Sequence, residues 1–190
     1  MGGPKALLLL DGAPLVAQHV ARLSEAGCQS VLVVAPTSWA ELVRASAPEA
    51  KVIGASTASQ AESLAAGLQA LDASASVVVV TPVDMAPVSE VTVRGLLGAL
   101  TPERDAVTPR CGRVGGHPVI IRRAALEVYA GGGPYPSLHA HLESLGARRL
   151  RLEVDDLAVS RDLDTPEDLR STPAFVVVEP EAGARQSTLA

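Results

Sequence analysis

Short apolar runs alternate along the chain with stretches whose apolar residues recur every three or four positions. The clearest run is 77–80, four consecutive valines between Ser76 and Thr81-Pro82. An uninterrupted run of that length predicts a strand buried on both faces, as at the centre of a parallel sheet. Residues 31–34 predict a second such strand, and Val52-Ile53 a brief third. Helical patterns lie between them. Leu15, Val16, His19, Val20 and Leu23 share one stripe, with Pro14 suited to a first helical position and Gly27 to a stop. On that stripe His19 reads as a packed residue. Thr37 or Ser38 can cap a helix reaching Ala45. Ser59-Gln-Ala-Glu62 has the form of a capping box opening a helix to Ala70, and 89–100 predicts a further helix.

The second half continues in shorter pieces. Residues 106–109 and 119–121 predict strands, and 124–130 and 137–145 short helices. Between the two strands lies CGRVGGHP (111–118), a glycine-rich loop carrying Arg113 and His117. GGGPYP (131–136) admits neither a helix nor a central strand. His139 and His141 fall on different helix faces, without a metal-ligand partner at helical spacing, and read as surface residues. Leu150, Leu152 and Val154 alternate with Arg149, Arg151 and Glu153, the period of a half-exposed strand. Strand and helix alternating over the first hundred residues predict an α/β fold with right-handed crossovers. No long linker or internal repeat divides the chain.

Composition narrows the function. The chain has 190 residues, enough for one domain with a sizeable core; 47% are hydrophobic but only 2% aromatic. That core must come from Ala, Val and Leu, and base-stacking platforms for single-stranded nucleic acid are excluded for want of rings. The formal net charge is −5, with no basic cluster, so neither nucleic acid nor an anionic membrane is expected as a partner. No apolar run approaches a membrane span and no signal peptide is visible. The two cysteines, Cys28 and Cys111, form neither a disulfide framework nor a zinc pattern, which points to a reducing cytoplasm.

The candidate chemistry is acidic. Asp84 stands just past the carboxyl end of the 77–80 strand, where ligands of open α/β sheets bind. A carboxylate there can hold a divalent cation, which in turn holds phosphate, or it can start a turn. MGGPK (1–5) is a small-residue loop ending in Lys5; Gly2 and Gly3 let backbone amides approach a phosphate and Lys5 adds a point charge. Residues 155–168 hold six acidic residues. A capping box of Thr165 and Asp168 accounts for the end of this segment and leaves Asp162 without a structural task.

Five motifs stand in one order: MGGPKALL (1–8), SLAAGL (63–68), PVDM (82–85), GHP (116–118) and DLDTPEDL (162–169). This order resembles the nucleotidyltransferase family that includes molybdenum cofactor cytidylyltransferase and guanylyltransferase, over roughly residues 1–169, with the GHP loop nearer the cytidylyltransferase branch. The resemblance implies an α/β, Rossmann-like fold of three layers, a mostly parallel central sheet with helices on both faces. It implies a Mg²⁺-dependent reaction in which an NTP, CTP favoured over GTP, gives its nucleoside monophosphate to a phosphorylated small molecule such as molybdopterin and releases pyrophosphate. By motif, Gly2, Gly3, Lys5 and Ser63 would lie at the nucleotide, Asp84 and Asp162 would hold the metal, and Arg113, Gly116 and His117 would face the acceptor. Two other functions stay open: a binding or regulatory protein of the same fold, and a sugar-phosphate or alcohol-phosphate nucleotidyltransferase.

The family opens with a strand and a glycine loop of the form Leu-Ala-Gly/Ala-Gly-x-Ser-x-Arg-Met-Gly, and Met1-Gly2 resembles its last two residues. The first strand of that fold lies inside the sheet. An empty slot there would strand backbone hydrogen-bonding groups at a cost of several kcal/mol. Three segments can fill it: residues upstream of Met1, 6–10, or the strand-like 175–178. The expectation is that upstream residues fill it, that 1–171 is the domain, and that 175–178 pairs at a sheet edge or packs on the surface ahead of a disordered tail.

Overall fold

The computed structural model describes residues 5–163 and the strand 175–180. Lys5–Leu7 forms a 3-10 turn and leads into a two-stranded hairpin, β1 (Leu9–Leu10) and β2 (Ala13–Pro14). Asp11 and Gly12 both have positive φ, 52° and 83°, the conformation a two-residue hairpin turn requires and one that Asp and Gly tolerate. Segment 6–10 is thus a turn and hairpin, not a strand of the main sheet. Then follow α1 (Leu15–Glu25), β3 (Cys28–Pro36), α2 (Ala40–Ser46), β4 (Lys51–Ala55), α3 (Gln60–Ala70), β5 (Val77–Pro82) and α4 (Glu90–Gly98). The second half supplies β6 (Ala106–Cys111), β7 (Val114–Gly115), β8 (Val119–Arg122), α5 (Leu138–Ser144), β9 (Arg149–Glu153) and β10 (Phe175–Pro180). Pro14 is the N-cap of α1 rather than its first residue.

Among the described residues the main sheet has eight strands. Its order is β4-β3-β10-β5-β8-β6, with β7 and β9 also paired to β6. β3 and β4 are parallel, as are β6 and β9; β10 is antiparallel to both β3 and β5, and β8 to both β5 and β6. It follows that β3, β4, β5, β6 and β9 share one direction, and their carboxyl ends lie along one edge.

The slot between β3 and β5 is occupied by β10, which corrects the expected placement of 175–178 at an edge or on the surface. Val177 is opposite Leu32 on one side and Val80 on the other. Strand character was legible in this segment, but its position was not, because two ladders 93 or more residues away in sequence decide it. The boundary expected at 171 therefore does not separate β10 from the domain. Residues 1–4, 164–174 and 181–190, which include Gly2, Gly3, the Thr165–Asp168 capping box and the tail expected to be disordered, lie outside the described residues.

Alternation along the strands feeds two cores. Val31, Val33, Val79, Val107 and Ile120 pack with Val16, Val20 and Leu23 of α1, Val43 of α2, and Val93 and Leu96 of α4. Leu32, Val34, Val78, Val80, Val119 and Ile121 pack with Leu64 and Leu68 of α3 and Leu142 of α5. Helices thus cover both faces, giving three layers. Each fully buried Val or Leu adds roughly 1.5–3 kcal/mol, so truncating Val79 or Leu96 would weaken the fold more than any surface change. The predicted box at α3 forms in a shifted version: Ser59 Oγ accepts from Glu62 N at 3.2 Å, while Glu62 Oε2 reaches one residue past the cap and accepts from Ala58 N at 2.7 Å.

Candidate functional site

A cleft of ≈ 840 Å³ opens at the carboxyl edge of the sheet, and its two ends differ in charge. The acidic end is built by two chain segments running side by side. β5 ends at Pro82, and the next residues pair with 161–163: Ala86 N donates to Arg161 O at 2.9 Å, Leu163 N donates to Asp84 O at 2.9 Å, and Met85 forms an antiparallel bridge with Asp162. Asp84 and Asp162 both line the cleft. Lys5 Nζ lies 3.6 Å from Asp84 Oδ2, and both side chains are largely shielded from solvent. The hairpin and 3-10 turn that carry Lys5 are tied to α1 by Leu15 N donating to Leu8 O at 2.8 Å.

His117 lies on the same cleft, in the loop entering β8. Burial holds its imidazole below the ordinary range, against the Val80 carbonyl 3.4 Å from Nδ1 and the nearby Asp84 and Asp162 charges. Gly116 has a structural task. A Cβ there would stand 1.7 Å from Val159 O, the carbonyl that accepts the His117 N–H at 2.8 Å. Only glycine lets the two segments approach so closely. Asp156 is structural too: it accepts from Thr92 Oγ1 at 2.8 Å and Ser89 Oγ at 3.0 Å, tying the cap of α4 to the segment before Asp162. Burial would raise its pKa, but these hydrogen bonds together hold it below the ordinary value.

The other end of the cleft is a wall of arginines from β6, the turn between β6 and β7, and β9. Arg149 donates to Thr108 Oγ1 at 3.0 Å and to Glu143 Oε1 at 2.7 Å; Arg151 donates to the same Glu143 oxygen at 2.5 Å. Arg110 pairs with Glu153 at 2.8 Å. Arg113 is exposed beside them, and no hydrogen bond or ion pair holds its guanidinium among the described residues. Arg110, Arg149 and Arg151 were not among the candidate residues. The alternation on β9 signals Arg149 and Arg151: Leu150 and Leu152 pack inward, and the opposite face is the cleft wall; Arg110 stands on β6, outside that pattern. His139 lines the cleft, whereas His141 is partly buried, its Nε2 2.7 Å from Ala125 O and its ring edge-on to Tyr129; the surface reading of His141 does not hold.

Ser63 is placed elsewhere. Its Oγ is 2.7 Å from Thr57 Oγ1 and 3.2 Å from Ser59 O, and it borders a separate pocket of ≈ 400 Å³ with Pro36, Thr37, Ala55 and Ser56, past the ends of β3 and β4. The amino end of α3 lies between the two pockets, Gln60 on one and Ser63 on the other.

Among the described residues, no three His, Cys, Asp or Glu side chains group as a metal cage. The donor set at Asp84 and Asp162 is two hard oxygen groups. That fits a small divalent cation completed by substrate phosphates and water, and does not fit a closed protein site.

A charged cleft outside the carboxyl ends of an α/β sheet is the architecture of domains that bind phosphorylated ligands. The MobA-like NTP transferase domain family matches residues 1–156, and the chain belongs to that family. No curated protein matches the chain. The structure is similar to that of Rv0371c from Mycobacterium tuberculosis H37Rv: TM-score 0.73, 21% identity, 90% of this chain and 88% of that one. Rv0371c in complex with manganese gives 0.72 and 20%, over 89% and 92%. The bifunctional IspDF from Campylobacter jejuni gives 0.69 and 19%, over 88% of this chain and 48% of that one. At these identities the likeness is one of fold.

Proposed function

We propose that this NTP transferase domain moves a nucleoside monophosphate from an NTP to the phosphate of a small-molecule acceptor and releases pyrophosphate. The observation that carries the reading is the division of one cleft into an acidic end and an arginine wall, with His117 between them. Asp84 and Asp162 would hold a divalent cation, Mg²⁺ in the cell, at the triphosphate. Bound there, the cation supplies charge neutralisation on the phosphates. Lys5 then adds a positive charge at the same end, and the amino end of α3 favours phosphate oxygens through its free N–H groups. The nucleoside would reach toward Ser63 and its pocket, with Gly2 and Gly3 near the phosphates.

Arg113 and His117 would face the acceptor, joined by Arg149 and Arg151. The acceptor phosphate oxygen attacks the α-phosphorus, one P–O bond forms, and the bond to the β-phosphate oxygen breaks in line. Little covalent work falls to the protein; positioned charge is what lowers the barrier. His117, held neutral near pH 7 by burial, can accept or donate one hydrogen bond to the acceptor without adding charge. CTP is favoured over GTP and molybdopterin is the first acceptor to try. Two unpaired cysteines suit a cytoplasmic setting. The test is pyrophosphate release from CTP or GTP with Mg²⁺ or Mn²⁺, with and without molybdopterin or sugar phosphates. Acceptor-dependent release supports the reading. No release with any acceptor, despite nucleotide binding, would favour a regulatory protein.

A further inference from the structure

We infer that His19 is a positioning residue: its ring holds the Met85 carbonyl and thereby sets the spacing of the Asp84 and Asp162 segments. The inference rests on the proposal that these two carboxylates share a cation. His19 interrupts the apolar stripe of α1 and is 3% exposed. A buried imidazole is costly unless bonded, and Nε2 lies 3.0 Å from Met85 O.

The backbone explains why that carbonyl is available. In the bridge between Met85 and Asp162, the two hydrogen bonds are made by the flanking residues, Ala86 to Arg161 and Leu163 to Asp84. In this narrow antiparallel pair, the bridging residues turn their own N–H and C=O away from the partner strand. Met85 O therefore points away from Asp162, and His19 takes it from the other side. The segment bearing Asp84 is fastened on both edges, by 161–163 on one and by α1 on the other. Burial drives the pKa of His19 down to about 4, against the Met85 and Val83 carbonyls and the Asp84 charge. Near pH 7 the ring is neutral and has one N–H to give. A leucine would complete the apolar stripe but leave Met85 O without this donor, whereas a glutamine keeps an N–H of comparable reach.

The experiment compares Mn²⁺ binding, by electron paramagnetic resonance with Mn²⁺ alone, in the full chain and in Asp84→Asn, His19→Leu and His19→Gln. Asp84→Asn is expected to abolish binding at the site. His19→Leu is expected to weaken it roughly 10–100-fold, the usual effect of losing a group that orients a metal ligand, and His19→Gln to stay within about threefold of the natural chain. If Asp84→Asn binds like the natural chain, the cation reading falls and the inference with it. If Asp84→Asn loses binding but His19→Leu does not, the inference alone is overturned; equal losses in His19→Leu and His19→Gln overturn it as well. A second measurement needs no variant: ring ¹⁵N NMR of the natural chain should show the neutral Nε2–H tautomer of His19. The Nδ1–H tautomer would leave nothing to donate to Met85 O and would overturn the inference.

Discussion

The two halves of the sheet meet at β5 and solve different problems. In the β4-β3-β10-β5 half, β3 and β5 are buried on both faces along their middles: Val31, Leu32, Val33, Val34 and Val78 to Val80 are all buried, and Asp84, which lines the cleft, stands past the end of its strand. The β8-β6-β9 half is two-sided. Ile120, Val107 and Leu152 face the core, while Thr108, Arg149 and Arg151 face the cleft. One half places its chemistry at the tips of strands, and the other along their flanks. A polar face on a half-exposed strand need not be bulk solvent surface; here it is one wall of the cleft.

The largest expected effect tests what holds the first half together. Ending the chain after Ser171 removes β10 and leaves β3 and β5 with an unpaired edge each, inside the sheet. Thermal denaturation of that form should show no cooperative transition. A melt like that of the full chain would mean that β10 does not close the sheet. Next come the strand-tip residues. Asp84→Asn or Asp162→Asn should lower kcat about 10³-fold, the scale for removing a preorganised charge at a transferring phosphate, with little change in melting temperature. A loss confined to one of the two would break the pairing of these carboxylates.

The third effect concerns stability and acid. His19 has its folded pKa lowered from 6.5 to about 4, so the unfolded chain binds the proton first as pH falls. The stability it contributes is therefore complete above about pH 6.5 and is lost progressively toward pH 4. Between pH 7.5 and 5 the loss from this group should be about 2 kcal/mol in urea denaturation, and His19→Gln should lack that component. The same pH dependence in both forms would contradict it. The smallest effect probes the strand-flank wall. Arg113→Ala should raise KM for the acceptor about tenfold through one lost charge-assisted contact, leaving KM for the NTP nearly unchanged. Equal changes in both would remove the division of the cleft into two ends.

Much of the fold was legible because the first half speaks in continuous valine runs and capped helices. Ser59, the burial of the 77–80 strand and the Asp11-Gly12 turn each follow a local rule, but the parallel neighbours expected of 77–80 do not hold: β5 runs antiparallel to both β10 and β8, pairings that no local pattern sets. What was not legible depends on distance in sequence. The pairing of β10 with β3 and β5 has no local signature, and neither has the close approach of the Val159 carbonyl that reserves position 116 for glycine and gives Gly116 a structural reason to be there. The arginine wall was half visible: the alternation on β9 was read, but which side of the sheet the cleft occupies depends on β6 and α5. Asp84 and Asp162 stood out because neither was consumed by a cap, and the bridge at Met85 brings their segments together.

The most direct test of the account is a crystal structure of the full chain with Mn²⁺ and a non-hydrolysable CTP analogue, read by anomalous scattering. One manganese peak is expected, touching a carboxylate oxygen of Asp84, one of Asp162 and the triphosphate. A peak on only one of these carboxylates, or nucleotide bound with its phosphates away from both, would contradict it.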